Sequence, residues 1–131
     1  MKNMRRFSLA CALILCAGFC AFGEVDFNRQ IRPILSQSCF ACHGLDGPKS
    51  DLRLDFAEFA YKGGKSGRSA IVPGKPGESE LMLRVTAHGE DRMPSKGDAL
   101  SYDQISLLRQ WIKEGARYAK HWAYEKPVRP E

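Results

Sequence analysis

The apolar residues change their spacing several times along the chain, and each change predicts a different kind of segment. Phe7 through Phe22 is an uncharged, mostly apolar run. From Asp26 to Cys39 the apolar positions Phe27, Ile31, Ile34 and Leu35 fall at helical spacing, with Asp26 as N-cap. Pro33 interrupts that pattern, so the helix either kinks there or begins near Arg32 with Pro33 in its first turn. Between Gly44 and Pro76 the apolar residues Leu52, Leu54, Phe56, Phe59, Tyr61, Ile71 and Val72 are scattered among Gly, Lys, Ser and Asp. This predicts loop with one short helix around Phe56–Tyr61, a long irregular stretch for a compact domain unless a ligand supplies apolar surface. Pro76-Gly77-Glu78-Ser79-Glu80 predicts a helix start, followed on one face by Leu81, Met82 and Val85 and ending near Thr86. The last helix has the fullest signature. Ser101 and Gln104 form a capping box, Leu100 and Ile105 a hydrophobic staple, Ile105, Leu108, Trp111 and Ile112 the buried stripe, and Gly115 the stop. Beyond Tyr118 the segment His121 to Pro130 reads as an extended tail.

The N-terminal apolar run follows Lys2, Arg5 and Arg6 and ends in Ala21-Phe22-Gly23. A positive start, an apolar centre and small residues at a cut site are the parts of a secretory signal peptide, placing cleavage before Glu24. An uncleaved membrane anchor is the alternative, although the run falls short of the ~20 residues a span requires. Lipidation at Cys16 or Cys20 fits poorly, because Leu15 and Phe19 precede them. The expected organisation is therefore 1–23 signal peptide, 24–118 one domain and 119–131 C-terminal tail. The destination is the periplasm or cell envelope, with membrane contact only through the signal segment if it stays attached.

Removing that segment changes the charge and the cysteine count. Of 20 basic residues three lie in 1–23, leaving 17 against 15 acidic ones, a net +2 that does not call for a nucleic-acid partner. Of five cysteines only Cys39 and Cys42 remain. Two cysteines so close in sequence cannot staple a fold, so they serve local chemistry.

Cys39-Phe40-Ala41-Cys42-His43 supplies two thiols spaced for the two vinyl groups of one porphyrin, with an imidazole next to the second thiol to ligate the iron. A thioredoxin-like redox pair would sit at a helix start after a strand. A zinc site wants four ligands, and after these three only His88 and His121 remain in the mature chain. The motif is read as covalent attachment of one haem c, with Cys39 and Cys42 as thioethers and His43 as the proximal iron ligand. For the distal position Met93 is expected, in a loop before the last helix and followed by Pro94, which restricts its backbone. His88 is its rival. Met82 lies on an apolar helical face and is read as a core gap-filler. Closure of the iron by His43 and Met93 favours outer-sphere electron transfer, and methionine raises the reduction potential relative to two histidines. Lysines 49, 62, 65, 75 and 96 could surround an exposed cofactor edge and dock an acidic redox partner.

Val25-Asp26-Phe27, Ile31-Arg32-Pro33-Ile34-Leu35, Cys39 through Gly44, Leu52-Arg53-Leu54-Asp55, Ile71 through Pro76, Ser79-Glu80-Leu81, Arg92-Met93-Pro94 and Gln110-Trp111-Ile112 resemble, in order, the blocks of the planctomycete-type cytochrome c domain. The resemblance implies an all-α, cytochrome c-like domain with long loops, wrapped around one haem held by Cys39, Cys42 and His43, with Met93 distal. Members of that family are usually longer, with further domains after a segment similar to His121-Trp122-Ala123-Tyr124, and Ser95 stands where a second proline is common. The expected role is an electron carrier rather than a catalyst with its own substrate. The alternative is a haem-containing sensor or interaction module working with a separately encoded enzyme. In either case about 108 residues with a few short helices bury limited apolar surface unaided, so the haem is expected to be structural as well.

Overall fold

The computed structural model describes residues 23–120. The expected signal segment, apart from Gly23, and the tail from His121 therefore lie outside the described residues. Within them the chain is helical, with no strand, in agreement with the all-α expectation. No helix among them is long and apolar enough to cross a membrane.

The Asp26 carboxylate accepts the Arg29 N–H at 3.0 Å and starts a π-helical turn, Phe27–Ile31, that runs directly into α1, Arg32–Ser38. Pro33 accounts for the change of winding. It has no N–H to donate and its ring would clash with the carbonyl four residues back. The wider turn places the Arg32 N–H on the Phe27 carbonyl instead, and Pro33 then sits in the first turn of α1, where a missing N–H is harmless. The α-helix thus starts at Arg32, as one of the two expected arrangements had it, but helical winding also precedes it.

Cys39 does not continue α1. Its backbone (φ −126°, ψ −44°) bends the chain into the short α2, Phe40–His43, and its carbonyl accepts from both Cys42 and His43 N–H at 3.1 and 2.8 Å. The helical pattern expected from Asp26 to Cys39 thus ends at Ser38: Cys39 is the joint, while Cys42 and His43 ride on the next element. The irregular stretch that follows holds a 3₁₀ turn, Lys49–Asp51, and α3, Ala57–Lys62, the one short α-helix expected there.

Pro76–Glu78 forms its own 3₁₀ turn, and α4, Glu80–Val85, begins only after Ser79. The single helix expected from Pro76 is divided because Ser79 is extended (φ −82°, ψ 120°) and fully buried. Its hydroxyl accepts the Val72 N–H at 2.9 Å and donates to the Lys75 carbonyl at 3.0 Å, tying the turn to the preceding loop. In α5, Tyr102–Lys113, the capping box is complete: Ser101 Oγ accepts the Gln104 N–H and Gln104 Oε1 accepts the Ser101 N–H. Leu108, Trp111 and Ile112 are buried, with Ile105 half-buried on the same stripe. Gly115 (φ 105°) takes the left-handed conformation that ends the helix.

The core joins these pieces through Phe27, Ile31, Ile34, Leu35, Leu54, Ile71, Leu81, Met82, Val85, Leu108, Trp111 and Ile112. Phe27, Trp111 and Tyr118 pack ring against ring with centroids 4.8–5.5 Å apart. This aromatic cluster fixes the first helical turn against α5. The Arg32 guanidinium donates to the Ala119 carbonyl at 2.7 Å and lies 5.0 Å from the Phe27 ring centroid, binding the two ends of the described chain together.

Candidate functional site

A cavity of about 720 Å³ opens between α2, the 49–54 loop, the 64–66 loop, α4 and the 93–100 loop. Its size lies within the range of small-molecule and cofactor sites. Cys39, Cys42, His43 and Met93 all line it. Residues far apart in sequence are therefore brought to one space. Leu52, Leu54, Ala70, Leu81, Val85 and Leu100 supply apolar wall, and Lys49, Lys65, Lys96 and Arg84 supply positive charge, with Glu80 and Asp98 also present.

Local structure explains how α2 presents its side chains. Cys39 is half-buried at the joint, and burial together with the neighbouring Cys42 thiol pushes its own thiol up to about 11. The thiol therefore stays protonated at neutral pH. Gly44 closes α2 in a buried position, and a Cβ there would come 2.5 Å from the Phe40 carbonyl oxygen. Immediately beyond, the Leu54 N–H donates to the His43 carbonyl at 2.8 Å, so the apolar loop is held against the motif. Among the described residues the His43 Nδ1 is buried and has no hydrogen-bond partner.

The Met93 loop hangs from α4. The Met93 N–H donates to the Arg84 carbonyl at 2.9 Å, and the Arg92 guanidinium reaches across the loop to the Gly97 carbonyl at 3.1 Å. Met93 is half-buried. His88, the other distal candidate, is exposed at the head of the 3₁₀ turn Gly89–Asp91 and does not line the cavity. His121 lies outside the described residues. Met82 is buried in the core, as its helical face indicated.

The donor set suits haem rather than a bare ion. Among the described residues no group of three or more His, Cys, Asp or Glu side chains comes together to hold a metal ion. Two thiols, one imidazole and one thioether around an apolar cavity are instead the groups that a covalently attached iron porphyrin uses. Of the lysines singled out in the sequence, 49, 65 and 96 reach the cavity, whereas Lys62 and Lys75 do not. Lys75 pairs with Glu78 at 3.1 Å.

Sequence reasoning missed Arg84 and Glu80 as cavity residues. The signal available was their spacing, an acidic residue four positions before a basic one on a helix. Nothing local marked that pair as facing a cavity, because the facing walls come from loops distant in sequence.

Residues 39–97 match the family model described as Planctomycete cytochrome C. No curated protein and no solved structure matches the chain.

Proposed function

Proceeding from residues 39–97 as a domain of the planctomycete cytochrome C family, a family of haem-binding cytochromes, we propose that this protein is an exported mono-haem c-type cytochrome whose work is electron transfer. The observation that carries the reading is the shared cavity: Cys39, Cys42, His43 and Met93 border one space of cofactor size. Cys39 and Cys42 would hold the porphyrin through thioether bonds, and His43 and Met93 would supply the iron's protein ligands. Once bound, the haem supplies a one-electron ferric/ferrous couple. The chain's own part would be to supply the imidazole and thioether ligands, to exclude water with the Leu52, Leu54, Leu81, Val85 and Leu100 wall, and to present a charged rim. Lys49, Lys65 and Lys96 at that rim suit an acidic redox partner.

Mass spectrometry of the protein exported from a host with c-type haem maturation is expected to give the mass from Glu24 plus one haem. Its ferric spectrum is expected to carry the near-infrared methionine-to-iron charge-transfer band, lost in Met93→Ala. A chain without added haem mass overturns haem attachment. A band absent from the wild type, or retained in M93A, overturns Met93 as distal ligand and with it the closed iron on which electron transfer rests.

A further inference from the structure

We infer that Arg84 is the positioning residue for Met93, holding the loop that carries it through a side-chain bridge as well as through the backbone. The inference rests on the proposed haem site and adds to it a determinant of how firmly Met93 stays bound.

Arg84 makes three contacts, two with the segment that carries Met93 and one within its own helix. Its carbonyl, in the last turn of α4, accepts the Met93 N–H at 2.9 Å. One guanidinium nitrogen, Nη1, lies 2.9 Å from the Asp91 carboxylate, two residues before Met93. The other, Nη2, lies 3.3 Å from Glu80, one turn back on α4. Glu80 in turn accepts from the Ser66 hydroxyl at 2.6 Å. A polar chain thus runs from the glycine-rich 63–67 loop through α4 to the Met93 loop, and three of its members, Ser66, Glu80 and Arg84, border the cavity.

The parts of this chain differ in firmness. The Glu80 side chain is only 15% exposed and orients the guanidinium from below, whereas Asp91 is 82% exposed. A bridge to so exposed a carboxylate is weak and screened by salt. The backbone contact between Met93 and Arg84 survives its loss. The arrangement therefore holds Met93 by one firm tie and one releasable tie, and release of the second loosens the loop at Asp91 without dismantling α4. Ionic strength, or a cationic surface competing for Asp91, would thereby raise the population in which Met93 is displaced.

The test titrates the ferric holoprotein with imidazole, which competes for the distal position, and follows loss of the methionine-to-iron band. At low salt, Asp91→Asn is expected to lower the half-saturating imidazole concentration about twofold to fivefold, the range an exposed ion pair supplies. The difference from wild type should close at 1 M salt. Arg84→Gln is expected to do the same, Arg84→Lys to recover part of the loss, and the R84Q/D91N double variant to match the single ones. Asp91 is exposed, so D91N keeps the experiment decisive if R84Q folds poorly. D91N and wild type with equal imidazole titrations overturn the inference, as does a D91N that melts earlier yet binds imidazole like wild type. A wild-type holoprotein lacking the band overturns Met93 ligation itself, a result distinct from an intact band that ignores Asp91.

Discussion

The Leu54 N–H donates to the His43 carbonyl at 2.8 Å, so the loop that follows the motif is bonded back onto its last residue. Leu54 is buried, and its own carbonyl accepts the Tyr118 hydroxyl at 3.0 Å. The motif helix, the cavity wall and the segment after α5 are thus joined through one residue. This links the rigidity of the site to the aromatic cluster of Phe27, Trp111 and Tyr118, which otherwise lies in the structural core.

Tyr118 is the testable end of that link. Burial above all, with Tyr61 adding to it, holds its phenol well above the ordinary 10.0. The folded protein therefore keeps this proton where the unfolded chain loses it. The contribution to stability is complete below about pH 10 and declines as pH rises beyond, by up to about 1.4 kcal/mol per pH unit. Tyr118→Phe is expected to cost about 1 kcal/mol near neutrality, since the Leu54 carbonyl loses its donor. It should also flatten the alkaline decline. Urea unfolding at pH 7, 9 and 10.5 measures both, and an alkaline slope equal to that of wild type counts against the role assigned to Tyr118.

Ser79→Ala is expected to destabilise the fold by about 1–3 kcal/mol, because the part-buried Val72 N–H is left without its acceptor. Ser79→Thr keeps the hydroxyl but adds a methyl group at a fully buried position. A denaturant series on both variants separates the two effects, and an S79A as stable as wild type removes the hydroxyl from the account.

Gly44→Ala puts a Cβ against the Phe40 carbonyl oxygen at the end of α2. The helix has to shift, at a cost on the order of 1–3 kcal/mol for a tightly packed position. The shift falls directly on His43, so the haem absorption spectrum of G44A should change together with its unfolding midpoint. A variant altered in neither shows that α2 tolerates the added methyl.

Replacing Cys39 and Cys42 together by alanine is expected to leave no haem with the polypeptide after acid–acetone extraction. With the cavity of about 720 Å³ left to water, and a small core to begin with, cooperative thermal unfolding in near-UV circular dichroism should be lost as well. A sharp cooperative melt in the double variant is the result that removes the structural role of haem.

The features legible in the sequence were those settled within a few residues. Asp26 and Ser101 cap helices because a side-chain oxygen meets an N–H three residues on. Gly115 ends α5 because its backbone alone tolerates φ 105° without strain. The stripe from Ile105 to Ile112 followed from helical periodicity. Ser79 was not legible: next to proline and acidic residues it reads as part of a helix start, and only its burial against Val72 and Lys75 turns it into a break.

Local spacing along the chain settles the chemistry on offer: two thiols and an imidazole at a spacing matched to a porphyrin, a thioether before a proline, and helices wherever capping and periodicity agree. Those properties depend on covalent spacing and local hydrogen bonds, which no distant residue alters. Tertiary structure alone decided that Met93 borders the same cavity as His43 while His88 stays outside, and that Arg84 holds the Met93 loop. Such choices depend on which segments pack together, and packing follows from burial of the whole apolar set rather than from any window of the chain.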